Sequence, residues 1–349
     1  MQHSSWGSPP NPRANPVPLR IGVVGCAGIA WRRMLPAIDR NPDVELVAVA
    51  SRDEAKARHF TRRFGGDPVA GYDRLLARDD IDAVYVPLPA LLHAEWIERA
   101  LLAGKHVLSE KPLAATAEDA ASLIALAASR GLALLESFMF LCHTQHARVR
   151  ELVADGVIGE LRTLTADFAF PAKGEDDIRY LPDVGGGALT DIGVYPVRTA
   201  LLYLGEEVDV LGAALHVDHR LGVDLGGSAL LARQDGVTAH LTWGMQHAYR
   251  SHYALWGSSG RISATWAYTP PPTHGPVIRI ERQDHTEELT LPAEDQFAHV
   301  IAAFVARVRE GVPSGLEGES VLSQARLVDR VRERALLSSQ PDREPMGLS

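Results

Sequence analysis

Strand-like and helical segments alternate along the first 138 residues, and this constrains the fold more than any other feature. "RIGVVG" from Arg20, "VELVAVA" from Val44, "DAVYVPL" from Asp82, "KHVLSE" from Lys105 and "LALLESF" from Leu132 read as buried strands. Between them run helical segments. "DEAKARHFTRRFG" stops at Gly65, and "HAEWIERALLAG" starts at His93. "TAEDAASLIALAASRG" has a capping box at Thr116 and Asp119 and a stop at Gly131. Strands that alternate with helices form a parallel sheet covered on both faces. Ligands of such sheets bind at the carboxyl ends of the strands.

The first strand ends in "GCAGIA". A dinucleotide fingerprint needs small residues at its first, third and sixth positions. Here these are Gly25, Ala27 and Ala30, with Gly28 fourth and Cys26 and Ile29 between. The turn must be tight, its backbone open to a pyrophosphate, and the next helix aimed at that anion. The second strand ends in Ser51-Arg52. NAD enzymes usually have an acid there for the ribose 2′-OH, whereas a hydroxyl and a guanidinium suit a 2′-phosphate. NADP is therefore expected over NAD, with Asp53 next door weighing the other way. Lys111, in "LSEKPL", ends a strand on the edge where a nicotinamide would lie, and can stabilise developing negative charge.

From Leu161 the pattern changes to strand-like runs separated by turns, as in an antiparallel sheet. A helix carries Phe297, Val300, Ile301, Phe304 and Val308 at packing spacing. In "GGALTDIGVYP" (186–196), Asp191 and Tyr195 are four apart and would share a helix face. The expected organisation is a leader over 1–18, a cofactor domain over 19–140, a substrate and subunit-contact domain over 141–337, and a flexible tail over 338–349.

Composition excludes several functions. The net charge of −9 gives no global basic field for nucleic acid. No apolar run is long enough to span a membrane. The first residues lack a secretory apolar core, and two cysteines, Cys26 and Cys142, cannot make a disulfide framework, so a reducing cytoplasm fits. The pairs His143/His146 and His216/His219 have no obvious third ligand, and no metal is expected.

"GCAGIA", "VPLPALLH", "AGKHVLSEKPL", "DGVIGELR" and "GGALTDIGVYP" together resemble the glucose–fructose oxidoreductase / inositol dehydrogenase (Gfo/Idh/MocA) family, over nearly the whole chain. The resemblance implies an α/β protein. A Rossmann domain precedes an α/β domain built on a large, mostly antiparallel sheet. One face of that sheet covers the nicotinamide, and the other usually makes subunit contacts in a homodimer or homotetramer. It also implies a cis Lys111–Pro112 bond, with Leu88, His93, Glu110 and Lys111 at cofactor-lining positions.

"GCAGIAWRRMLPA", "FMFLCHTQH" and "DIRYLPDVGGGALTDIGVYP" look most like the family's nucleotide-sugar 3-ketoreductases of antibiotic deoxysugar pathways. Those enzymes use NADPH on the C3 ketone of a dTDP-linked 3,4-diketo-2,6-dideoxyhexose. By that resemblance Ser51 and Arg52 meet the NADP phosphate, and Lys111 and Tyr195 form the active-site pair. A protonated phenol can donate to the ketone oxygen, and a nearby Lys would lower its pKa and stabilise the phenolate. Asp191 would bond a substrate hydroxyl or a catalytic neighbour, with a helix cap as the alternative. Arg179 and Tyr180, or Arg32 and Arg33, would meet the diphosphate. Other readings are an NADP-dependent xylose or dihydrodiol dehydrogenase, or a non-catalytic NADP-sensing regulator.

Overall fold

The computed structural model describes residues 17–174, 176–311 and 315–339. Most of the expected leader, and the tail from 340, lie outside them. Among the described residues no helix is long and apolar enough to cross a membrane.

The first domain holds β1 (Leu19–Val24), a π-helical turn (Ala30–Met34) continuing into α1 (Leu35–Asp39), β2 (Val44–Ser51) and α2 (Glu54–Phe64). β3 (Asp67–Ala70), α3 (Tyr72–Leu76), β4 (Ala83–Val86) and α4 (His93–Leu102) follow, then β5 (His106–Glu110), α5 (Ala117–Arg130) and β6 (Leu134–Ser137). The strands form one parallel sheet in the order β3-β2-β1-β4-β5-β6. The order reverses at β1, which opens a crevice above its carboxyl end. β1 and β4 are apolar almost throughout because helices cover both faces.

Local chemistry sets the helix ends. Asp53 caps α2 by accepting from Ala55 N. Thr116 accepts from Asp119 N at 3.1 Å, and Gly131 closes α5 in the left-handed region at φ 63°. β3 and α3 have no counterpart in the sequence reading. They are short, and Pro68 sits in a strand at the sheet edge, where a missing N–H costs least.

The second domain starts with α6 (Thr144–Ala154) and β7 (Leu161–Ala169). A π-helical turn (Leu189–Gly193) runs into α7 (Val194–Leu204). Then come β8 (Val208–Asp218), β9 (Val223–Arg233), β10 (Thr238–Gly244), β11 (Arg250–Gly257), β12 (Arg261–Thr265), β13 (Val277–Glu281) and β14 (Thr286–Thr290). α8 (Gln296–Glu310), α9 (Gly315–Arg334) and β15 (Ala335–Ser339) complete it. The sheet order is β14-β13-β12-β11-β7-β10-β9-β8-β15. It is antiparallel except for β7–β10 and β8–β15, which are parallel. β15 extends into the stretch expected as a flexible tail. The expected packing helix is α8, with Phe297, Val300, Ile301 and Phe304 buried.

One hydrophobic core crosses the domain boundary, from Ile21 and Tyr85 through Phe138 and Phe140 to Tyr195, Trp243 and Ile301. α9 returns to the first domain, where Asp329 accepts from Ala117 N at 3.0 Å. The shared core fixes the second sheet over the strand ends of the first. Three of the paired histidines have protein partners. His146 lies between Tyr253 OH and Ala267 O, and burial drives its pKa down to about 3. His143 Nδ1 is 2.8 Å from Glu294. His216 pairs with Ser338 Oγ. Among the described residues no group of three or more His, Cys, Asp or Glu is placed to hold a metal.

Candidate active site

A cleft of about 770 Å³ lies between the domains, at the carboxyl ends of the parallel strands. Ala27, Gly28, Ile29, Arg32, Leu88, Glu110 and Lys111 wall one side, and Phe168, Arg179, Asp191 and Tyr195 the other.

The turn after β1 leaves its backbone bare. Gly25 has φ 118°, and a Cβ there would stand 2.7 Å from the Leu88 side chain. A Cβ on Gly28 would meet the Arg32 guanidinium at 2.8 Å. Ala27 and Ala30 keep the helix start close to the sheet, with Ala30 fully buried. This cradle fits a dinucleotide pyrophosphate. Ser51 is buried, its Oγ accepting from Asp53 N at 3.1 Å. It also bonds the Cys26 thiol, which burial pushes up to about 11. Arg52 is exposed at this edge and lies beside the Tyr72 hydroxyl.

His93 is placed differently from the expectation. It is 1% exposed and stands behind the cleft wall, with Nδ1 2.6 Å from Pro112 O and Nε2 2.7 Å from Leu88 O. It ties the two strand-end loops together and is not among the residues that line the cleft. Glu110 does line the cleft, and its Oε1 accepts from Tyr85 OH at 2.7 Å. Burial raises its carboxyl pKa.

The Lys111–Pro112 bond is cis. Lys111 Nζ donates to Asp191 O at 2.5 Å and to Asp191 Oδ1 at 3.0 Å. Arg179 Nε donates to Asp191 Oδ2 at 2.5 Å, and Arg179 Nη1 to Asp177 Oδ1 at 2.9 Å. Burial alone would raise Asp191, but Lys111 and Arg179 overcome it and hold the carboxyl at about 2. Burial works against the Arg179 charge, and Asp191 and Asp177 keep its pKa above the ordinary value. Arg179 is thus neutralised from two sides, which disfavours it as a diphosphate anchor. Tyr180 is buried under the same loop, its OH accepting from Lys173 N at 2.9 Å. Arg32 remains on the cleft wall, whereas Arg33 does not line it.

Asp191 lies in the π-helical turn and is no cap. The role of holding that helix start falls to Asp224, whose Oδ2 accepts from Leu189 N at 2.7 Å. Close packing requires the two glycines before it. A Cβ on Gly186 would strike Arg179 O at 2.6 Å, and one on Gly187, at φ 120°, would strike Asp224 Oδ1 at 2.4 Å. Nothing in the sequence points from Asp224 to this helix 35 residues earlier.

Tyr195 is 3% exposed, wedged edge-on against Phe138 and Phe168 at 5.0 and 4.9 Å between ring centres. Its hydroxyl donates to Met139 Sδ at 3.6 Å. Lys111 Nζ is 5.3 Å from the ring centre. The expectation that Lys111 lowers the phenol pKa is corrected. Burial, then Glu110 and Asp191, push it well above the usual value.

Family models match both halves of the chain: "Oxidoreductase family, NAD-binding Rossmann fold" over residues 19–138, and "GFO/IDH/MocA C-terminal domain" over 146–263. A dTDP-3,4-didehydro-2,6-dideoxy-alpha-D-glucose 3-reductase of Actinomadura kijaniata is 55% identical, over 92% of this chain and 97% of the relative. The D-xylose 1-dehydrogenase (NADP(+)) 2 of Haloferax volcanii is 34% identical, over 91% and 97%. Among solved structures, KijD10, a 3-ketoreductase from Actinomadura kijaniata in complex with NADP and TDP-benzene, superposes with a TM-score of 0.91 at 54% identity. That match covers 93% of this chain and all of the other. The chain therefore belongs to the GFO/IDH/MocA oxidoreductase family.

Proposed function

We propose that this protein is an NADPH-dependent ketoreductase acting on the C3 carbonyl of a dTDP-linked 3,4-diketo-2,6-dideoxyhexose. The observation that carries the reading is Lys111, which stands on the cleft wall that holds the dinucleotide cradle and is anchored by Asp191 of the facing wall, beside Tyr195. The 55% identical 3-reductase gives the substrate class.

Bound NADPH supplies the hydride to the carbonyl carbon. Lys111 commits two of its three N–H donors to Asp191 and keeps one for a substrate oxygen. An ammonium so placed stabilises the negative charge that grows on that oxygen. Tyr195 is the proton donor. Its raised pKa keeps the phenol loaded across the neutral range, and the same burial makes a lasting phenolate unfavourable. Lys111 is the cation beside it during transfer. Replacing Tyr195 by Phe is expected to lower turnover by about 10²-fold, the lower end for a lost general acid, with NADPH binding retained. Single-turnover NADPH oxidation and fluorescence titration check the two halves of that statement.

Ser51 and Arg52 meet the 2′-phosphate. Removing one charged hydrogen bond costs about 1.5–3 kcal/mol, so Arg52→Ala should lower kcat/KM for NADPH roughly 10- to 100-fold. The value for NADH should barely move, and an equal fall for both cofactors would count against this role.

The deciding experiment is NADPH consumption with enzymatically generated dTDP-3,4-diketo sugar, with dTDP as competitor. Turnover blocked by dTDP supports the reading. Oxidation of free D-xylose, insensitive to dTDP, would move the assignment to the second reading, the activity named for the Haloferax volcanii relative. NADPH binding without turnover of any keto sugar would indicate a sensor.

The working protein is a cytoplasmic homodimer or homotetramer. Leu211 on β8, Trp256 on β11 and Leu336 and Leu337 on β15 are 58–77% exposed on the second sheet, apolar area suited to a second copy. Light scattering should give twice or four times the chain mass of 37.8 kDa.

A further inference from the structure

The turn after β5 carries the ammonium on which the proposed chemistry depends, so whatever locates the turn locates Lys111. Glu136 lies in β6, in register with Ser109 of β5. Its Oε1 accepts from Leu113 N at 2.8 Å, two residues beyond Lys111. Its Oε2 is sealed from solvent and has no hydrogen-bond partner among the described residues. Glu136 does not wall the substrate cleft. With Pro112, Leu113 and Gln324 it lines a separate cavity of about 20 Å³ behind the turn. Burial raises its carboxyl pKa, against the opposing pull of Arg198 and the Leu113 N–H.

A carboxyl in this place is costly to desolvate, and an apolar side chain would fill the same space at lower cost. What an apolar side chain cannot do is accept from Leu113 N. The other side of the turn is already held, because Pro112 O faces His93 Nδ1. A turn gripped at Pro112 O and Leu113 N has little freedom to shift, and Lys111 precedes both.

We propose that Glu136 is a positioning residue that sets Lys111 against the substrate oxygen through its hydrogen bond to Leu113 N. This rests on the ketoreductase reading, or on any reading in which Lys111 meets the reacting oxygen.

Two near-isosteric variants test it. Glu136→Gln keeps an acceptor at the same reach and removes the acid. Glu136→Asp keeps the acid and shortens the reach by about one C–C bond, roughly 1.5 Å. A displacement of that order in a catalytic group costs up to about 10²-fold. Glu136→Asp should therefore lower kcat about 10- to 100-fold while the sugar KM and the NADPH Kd stay near wild type. Glu136→Gln should stay close to wild type in all three. A kcat for Glu136→Asp equal to wild type would overturn the proposal. So would a Glu136→Gln kcat as low as that of Glu136→Asp, or losses in KM and NADPH Kd that match the loss in kcat. Wild-type turnover of the dTDP sugar is measured in parallel. Turnover of D-xylose instead would sink only the substrate assignment, and the same comparison of variants would then be made on that activity. A wild type without any turnover would end both proposals.

Discussion

Lys111→Ala is expected to abolish most turnover, lowering kcat by roughly 10²–10³-fold, the range for removing one preorganised donor from a developing oxyanion. NADPH binding should survive, because the cradle at Gly25–Ala30 and the Ser51-Arg52 edge do not use this side chain. The size of the effect follows from the anchoring. Nζ is held by the Asp191 carbonyl and carboxylate, and its side chain is 11% exposed, so its charge acts where water screens it little. Lys111→Met, which keeps the stem and removes the charge, should lose about as much as alanine. If either variant retained more than about a tenth of wild-type kcat in single-turnover NADPH oxidation, Lys111 could not be the main stabiliser.

Asp191→Ala is expected to destabilise the fold by about 3–5 kcal/mol, the usual result of removing one partner from a buried ion pair. It strands Lys111, leaves Arg179 with Asp177 alone, and releases the Lys111 ammonium from its aim. Activity should fall with stability, and Asp191→Asn should recover part of the stability by keeping an acceptor. Urea denaturation and NADPH oxidation measure the two effects. The pH dependence has a definite sign. Asp191 is depressed to about 2 in the folded state, below the ordinary carboxylate value of about 3.9. Its contribution is complete above the unfolded value and is lost as pH falls toward about 2. Asp191→Asn should therefore show a shallower acid limb in its stability profile than wild type. Parallel limbs would mean that the lysine and arginine do not hold the carboxylate as described.

The helix ends show how much of the fold was legible. Thr116, Gly65 and Gly131 act through neighbours a few residues away, and a short stretch of sequence contains both partners. β3 and α3 were too short for periodicity to register. The parallel pair β7–β10 was missed because the strands read alike whichever way their partner runs. Within the site, Lys111, Asp191 and Tyr195 were legible by residue type and place. Met139, Phe168, Asp177 and Asp224 were not, since a methionine, a phenylalanine and two ordinary acids carry no mark of where they will point.

Sequence alone determined the local matters. The parallel sheet follows from alternating periodicities, and the tight turn after β1 from small residues that follow a strand. Only the tertiary structure decided the electrostatics. Lys111 and Asp191 are 80 residues apart, and their ion pair exists because a shared core sets one domain over the other. Burial beside Glu110 and Asp191 raises Tyr195, and Asp177 and Asp191 together match Arg179. A pKa depends on every charge and every dehydrated surface around a group, and those are assembled from distant segments only when the chain folds.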